Sequence, residues 1–231
     1  MREIVLDTET TGLEPAEGHR LVEIGCIELF NHLPTGAEFH SYLNPERDVP
    51  EDAARIHNLT GEFLRAQPRF GEVASRFLEF IAGSPLVIHN AEFDLKFVNF
   101  ELQNAQLAAL APGRAIDTLM MARRKFPGSP ASLDALCKRF DIDLSARESH
   151  GALVDAKLLA SVYLELIGGR QPGLNLVSET QAAAPEISVQ ALEHKRQSPR
   201  PQAALGLLSN EELEAHRAFV RALKGETLWR D

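Results

Sequence analysis

The chain has very little cysteine. Of its 231 residues only Cys26 and Cys137 are cysteine, so a disulfide-stapled secreted scaffold and a four-cysteine zinc site are both excluded. Each sits in an apolar setting, Ile24-Gly25-Cys26-Ile27 and Leu136-Cys137, which reads as a reduced core thiol in a cytoplasmic protein. No apolar run approaches the ~20 residues of a membrane span, and the start Met1-Arg2-Glu3-Ile4 enters a strand pattern directly. A soluble, unsecreted protein is expected. Basic residues are also short: 24 Lys and Arg stand against 33 Asp and Glu, a net charge of −9. A free-standing nucleic-acid binder normally presents a basic surface. Any nucleic-acid enzyme here is therefore expected to bind weakly and salt-dependently alone, and to be delivered by a partner.

What the chain does have is 44% hydrophobic residues, enough for one ordinary core with something left for an appendage. It also has acids in telling places. Ile4-Val5-Leu6-Asp7-Thr8-Glu9 reads as a β-strand stopped by Thr10-Thr11-Gly12. Side chains alternate along a strand, so Asp7 and Glu9 share a face roughly 6 to 7 Å apart and can share one cation. Taken alone, the pair better fits solvated acids at a strand end, which are common. A second element, Leu86-Val87-Ile88-His89-Asn90, is a buried strand in pattern, and a helix beginning at Ala91 follows it. Asp94 falls in that helix's first turn, where α/β folds place functional groups. The helix dipole is another sufficient reason for an Asp there.

The third element is His150-Gly151-Ala152-Leu153-Val154-Asp155. On one continuous helix a spacing of five would turn His150 and Asp155 roughly 140° apart. If His150 lies in the loop before the helix, with Gly151 at the junction, both reach one point. Several carboxylates held together need a compensating cation, and an oxygen-rich set selects Mg²⁺ or Mn²⁺ over zinc.

These three elements together resemble the DEDDh family of 3′-to-5′ exonucleases, with Asp7 and Glu9 on its first motif, Asp94 on its second, and His150 with Asp155 on its third. Within that family the chain is most similar to the proofreading epsilon-subunit group of bacterial DNA polymerase III. The likeness spans about residues 2 to 170 and returns in Glu211-Glu212-Leu213-Glu214-Ala215-His216 and Leu228-Trp229-Arg230-Asp231. The resemblance implies an α/β, ribonuclease H-like mixed sheet flanked by helices, with a flexible C-terminal tail. It implies hydrolysis of the 3′-terminal phosphodiester of a single-stranded DNA end with two divalent cations, Mg²⁺ or Mn²⁺, roughly 4 Å apart. Asp7 would bridge them, Glu9 and Asp155 complete the first, Asp94 support the second, and His150 act as general base. Asp52, where the family usually has Glu, and His57 correspond to substrate contacts; Thr10, Leu13, Asn90 and Phe93 are further candidates for holding the terminal nucleotide. Two other readings stay open: a stand-alone DEDDh exoribonuclease, and a non-catalytic polymerase adaptor.

Along the chain, Leu21 to Leu29 and Glu38 to Leu43 read as further strands, joined by turns at Glu14 to Gly18 and Asn31 to Gly36. A helix through Val73, Phe77, Phe80 and Ile81 precedes the Leu86 strand. The Phe93 to Leu107 helix, a strand at Ala115 to Thr118, a Ser132-capped helix through Phe140 and a last helix to about Ile167 follow. The expected order is β-β-β-α-β-α-β-α-α. The exonuclease domain is set at 1–170, a flexible linker at 171–202 and a polymerase-binding tail at 203–231. Gln171, Leu174 and Leu176 form a candidate sliding-clamp peptide. Ser209-Asn210-Glu211-Glu212 has capping-box form, and Phe219 and Trp229 are candidate contacts for the polymerase catalytic (alpha) subunit.

Overall fold

The computed structural model describes residues 1–145, 150–168 and 209–222. The first two stretches belong to one unit and the third to a second unit. Five strands form one mixed sheet: β1 (Arg2–Thr10), β2 (Leu21–Phe30), β3 (Leu33–Tyr42), β4 (Leu86–Ile88) and β5 (Ala115–Asp117), in the order β3-β2-β1-β4-β5. β1 to β3 make an antiparallel meander, and β4 and β5 add parallel strands beside β1. The helices of this unit are α1 (Glu51–His57), α2 (Gly61–Arg65), α3 (Phe70–Ile81), α4 (Ala91–Asn104), α5 (Thr118–Lys125), α6 (Leu133–Arg139) and α7 (Ala152–Leu166).

The period-two alternation of β1 divides the protein into layers. Ile4 and Leu6 face a core that includes Phe70, Phe77, Phe97 and Val98 of α3 and α4, while Val5 faces Leu159, Ala160 and Tyr163 of α7. Phe77 and Phe97 are fully buried, so truncating either to Ala should cost about 3–5 kcal/mol. The acids of β1 lie on the α7 face: Glu3 is buried and accepts a 2.7 Å hydrogen bond from the Tyr163 hydroxyl, and Asp7 and Glu9 continue the same row to the strand's C-terminal end.

Several sequence expectations are corrected. The turn expected over Asn31 to Gly36 is only Asn31-His32, both at positive φ (50° and 67°), and β3 begins at Leu33 rather than Glu38. Two successive left-handed residues make the tight turn that matches strand twist; here neither is glycine. The helix expected to run to Leu107 begins at Ala91, as anticipated, and ends at Asn104, Thr118 starts α5 instead of ending β5, and α1, α2 and α5 were not anticipated. Each of these three has eight residues or fewer, too short for a periodic signal. The Ser132 cap is present, its side chain accepting from Ala135 N–H. Both cysteines are buried. In the second unit α8 (Asn210–Ala222) opens on the anticipated capping box, with Ser209 and Glu212 bonded reciprocally. Phe219 on it is 64% exposed. Gln171, Leu174, Leu176 and Trp229 lie outside the described residues, as does the whole 171–202 segment. Among the described residues no helix is long and apolar enough to cross a membrane.

Candidate active site

Three elements converge on the C-terminal end of β1. Helix α7 approaches from one face of the sheet, because Gly25 on β2, paired with Asp7, leaves room for the helix's first turn. Helix α4 approaches from the other face, and its Asp94, 4% exposed, accepts a 2.7 Å hydrogen bond from Thr8 Oγ1. His150 lies in the loop before α7, with Gly151 as N-cap, as the spacing argument requires. Its Nδ1 stands 3.3 Å from Asp155 Oδ2, and one ligand atom from each of Glu9, His150 and Asp155 falls within 4.8 Å of the others. The His150 backbone N–H donates to Ile56 O at 3.2 Å, tying this loop to α1.

The electrostatics are those of carboxylates crowded without a counter-ion. Burial first, and then Asp94, Glu9, Asp155 and Glu23, push the Asp7 carboxyl well above its ordinary range. Burial raises Asp94 to about 7 against the Thr8 hydrogen bond that favours its charged form. These residues fit divalent cations: the donors are mainly hard carboxylate oxygens, and the crowding that holds protons on Asp7 is what a cation relieves. Asp7, Glu9, Asp155 and Asp94 would hold the metal.

Two clefts flank the cluster. One, of about 520 Å³, is lined by Thr10, Leu13, Asp52, Ile56, His57 and Phe93 among others, a size suited to one nucleotide. The second, of about 490 Å³, is lined by Glu23, His40, Tyr42, His57, His150 and Gly151 among others. His57 borders both. Leu59 N–H donates to its Nδ1 at 3.0 Å, which places the proton on Nε2; that atom is buried with no hydrogen-bond partner among the described residues. Burial lowers the His57 pKa, opposed by the charge of Glu23. Asp52 is exposed and paired with Arg55 at 2.9 Å, while Asn90 sits exposed at the start of α4 outside the lining of either cleft.

Sequence reasoning missed Glu23, Thr8, Gly25 and Asp117. Glu23 is 3% exposed and bonded to His40 Nε2 at 2.7 Å, directly across from Glu9. An acid inside the apolar run Leu21 to Leu29 was the available signal. Asp117 bridges two helices, accepting from Ala91 N–H (3.2 Å) at the start of α4 and from Leu119 N–H (2.8 Å) in α5.

Comparison with known proteins agrees with this geometry. The family model described as exonuclease matches residues 4–163. DNA polymerase III subunit epsilon of Rickettsia felis is 50% identical, with 96% of this chain and 97% of that protein covered. Its Escherichia coli namesake is 41% identical, with 99% and 97% covered. Among solved structures, exonuclease X in complex with 5′ overhanging duplex DNA aligns with a TM-score of 0.58 at 26% identity, over 71% of this chain and 90% of that one. With its ribonuclease H-like mixed sheet and its clustered acids, the chain belongs to the exonuclease family, alongside relatives named as epsilon subunits of DNA polymerase III.

Proposed function

We infer that this chain is the proofreading 3′-to-5′ exonuclease subunit of a replicative bacterial DNA polymerase, removing nucleotides from a single-stranded DNA 3′ end. The observation that carries the reading is the convergence of Asp7, Glu9, Asp94, Asp155 and His150 at one strand end, between a nucleotide-sized cleft and a second, histidine-lined one.

Two divalent cations, Mg²⁺ or Mn²⁺, supply charge compensation and Lewis acidity to the scissile phosphate when bound. Asp7, Glu9 and Asp155 would hold one, and Asp94, with Asp7, would hold the other. The terminal nucleotide occupies the cleft lined by Thr10, Leu13, Ile56 and Phe93. His57 Nε2–H donates to a substrate oxygen, and Asp52 reaches the substrate at the rim. His150 takes the proton of the attacking water, whose oxygen bonds phosphorus as the bond to the 3′ oxygen breaks. A nucleoside 5′-monophosphate leaves and the strand keeps a 3′ hydroxyl. An imidazole is the side chain most often used for such a proton transfer. Removing it should lower turnover by roughly 10² to 10⁴, less at high pH.

The tail, 203–231, binds the polymerase catalytic (alpha) subunit, and Gln171, Leu174 and Leu176 dock on the sliding clamp. Domain 1–170 carries the chemistry, in the cytoplasm where replication occurs. The experiment is nucleotide release from a 3′-labelled mismatched primer with and without Mg²⁺, beside a matched RNA strand. Metal-dependent release of monophosphates from DNA is expected. RNA preference would make the chain an exoribonuclease, and no release with either cation would make it an adaptor.

A further inference from the structure

The exposed face of α5 carries charge that the fold does not use. Met120, Arg123 and Arg124 stand at i, i+3 and i+4, so they form one stripe, opposite buried Thr118 and Ala122. Met120 is 51% exposed and both arginines are exposed. Among the described residues neither guanidinium has a hydrogen-bond or ion-pair partner. Several other arginines are committed: Arg20 to Glu101, Arg55 to Asp52, Arg69 to Glu46, and Arg114 to the Ser84 carbonyl. In a chain of net charge −9, two adjacent uncommitted guanidiniums on one face run against the general trend.

Their place is fixed relative to the candidate site. The Asp117 carboxylate accepts from Asn90 (3.3 Å) and Ala91 (3.2 Å) at the start of α4, and from Leu119 (2.8 Å) and Met120 (3.2 Å) in α5. One side chain thus clamps α5 to the helix that carries Asp94. Phosphoryl transfer is in line, so the leaving 3′ oxygen lies opposite the attacking water. His150 stands over β2 on the α7 face, whereas β4 and β5, whose C-terminal ends lead into α4 and α5, lie on the other flank of β1. The strand attached to the leaving oxygen therefore departs across β4 and β5, toward α5.

We propose that the Met120-Arg123-Arg124 face of α5 is a binding track for the single-stranded DNA upstream of the scissile bond. Arg123 and Arg124 take backbone phosphates, for which a guanidinium fork is matched in shape and charge, and Met120 packs against a sugar or base edge. The track rests on the exonuclease reading above. It supplies local attraction that the acidic surface as a whole does not.

The test is the double variant Arg123→Ala/Arg124→Ala in the full chain, assayed on an oligothymidylate and on thymidine 5′-(p-nitrophenyl phosphate), which has no upstream phosphate. Loss of two single-strand phosphate contacts should raise KM for the oligonucleotide roughly 20-fold near 0.1 M salt and reduce the slope of log KM against log salt by about 1.4. The rise should vanish for the mononucleotide ester. Arg76→Ala, an exposed arginine on α3, removes charge elsewhere and should leave both KM values at the parent level. A double variant with parental KM and salt slope on the oligonucleotide overturns the track, as does an equal rise on the ester. A parent chain that degrades neither substrate fails the exonuclease reading itself.

Discussion

A β-carbon placed on Gly25 would lie 2.4 Å from the carbonyl carbon of Ala152. That contact is backbone, so it cannot be relieved by rotating a side chain. The first turn of α7 rests directly on β2, and this seating brings His150 and Asp155 to Asp7, the strand partner of Gly25. Gly25→Ala must lift α7, which should cost about 1–3 kcal/mol of stability and, through misplacement of roughly 1 Å, about 10²-fold in turnover. Thermal unfolding and single-turnover cleavage check this. Parental turnover in Gly25→Ala would show that the seating of α7 does not set the site.

The crowded acids predict a particular pH response. Asp7 is raised well above its ordinary value and Asp94 to about 7, chiefly by burial. Between pH about 4 and about 7 the folded state therefore holds protons that the unfolded state has released, so stability of the metal-free protein falls as pH rises through that window. Mg²⁺ should restore it at the upper end by replacing those protons. Asp7→Asn should be more stable than the parent without metal, respond less to Mg²⁺, and cleave essentially nothing. Melting temperatures across this pH range, in chelator and in Mg²⁺, measure all three. A chelated parent whose melting temperature does not fall between these limits contradicts the crowding.

His57 predicts a tautomer. Its Nδ1 accepts from Leu59 N–H, its Nε2 is buried, and the residue borders both clefts. Nitrogen NMR should find the Nε2–H form, protonating below the ordinary value of about 6.5 because burial disfavours the charge. A hydrogen bond from this donor to a charged phosphate oxygen should contribute about 1.5–3 kcal/mol. His57→Ala should accordingly lower kcat/KM roughly 10- to 150-fold. An Nδ1–H tautomer would remove the argument for substrate donation.

How much of this was legible in the sequence depends on the range of the interaction. Asp7 and Glu9 were placed correctly because strand alternation is local, and His150 because its spacing from Asp155 excludes one continuous helix. The clefts were not legible: their walls need α1, seven residues of weak pattern, brought to the α7 loop by His150 N–H and Ile56 O. Glu3 is a buried acid whose partner, Tyr163, lies 160 positions away. Glu23 is likewise understood only when β1 sets Glu9 across from it. The tight turn at Asn31-His32 was missed because its left-handed residues carry no glycine signal.

The last prediction concerns the C-terminal segment. Helix α8 is capped and amphipathic in pattern, yet Phe219 on it is 64% exposed, and an aromatic side chain left in water on a short helix is characteristic of a surface that a partner covers. No member of the candidate site lies beyond Asp155. Deleting residues 178–231 should therefore leave hydrolysis of a free oligonucleotide close to that of the full chain while abolishing association with the polymerase catalytic subunit. Trp229 is the chain's only tryptophan, so its fluorescence reports on this segment alone. Emission should be solvent-like in the free protein and shift to the blue as the polymerase is added, if the indole enters the interface. Trp229→Ala should weaken the complex by about 2 kcal/mol or more if the indole is a central anchor, and Phe219→Ala should weaken it less if it lies at the rim. Blue-shifted emission in the free chain, together with loss of catalytic-domain stability on truncation, would place the segment within the fold and refute its role as a docking tail.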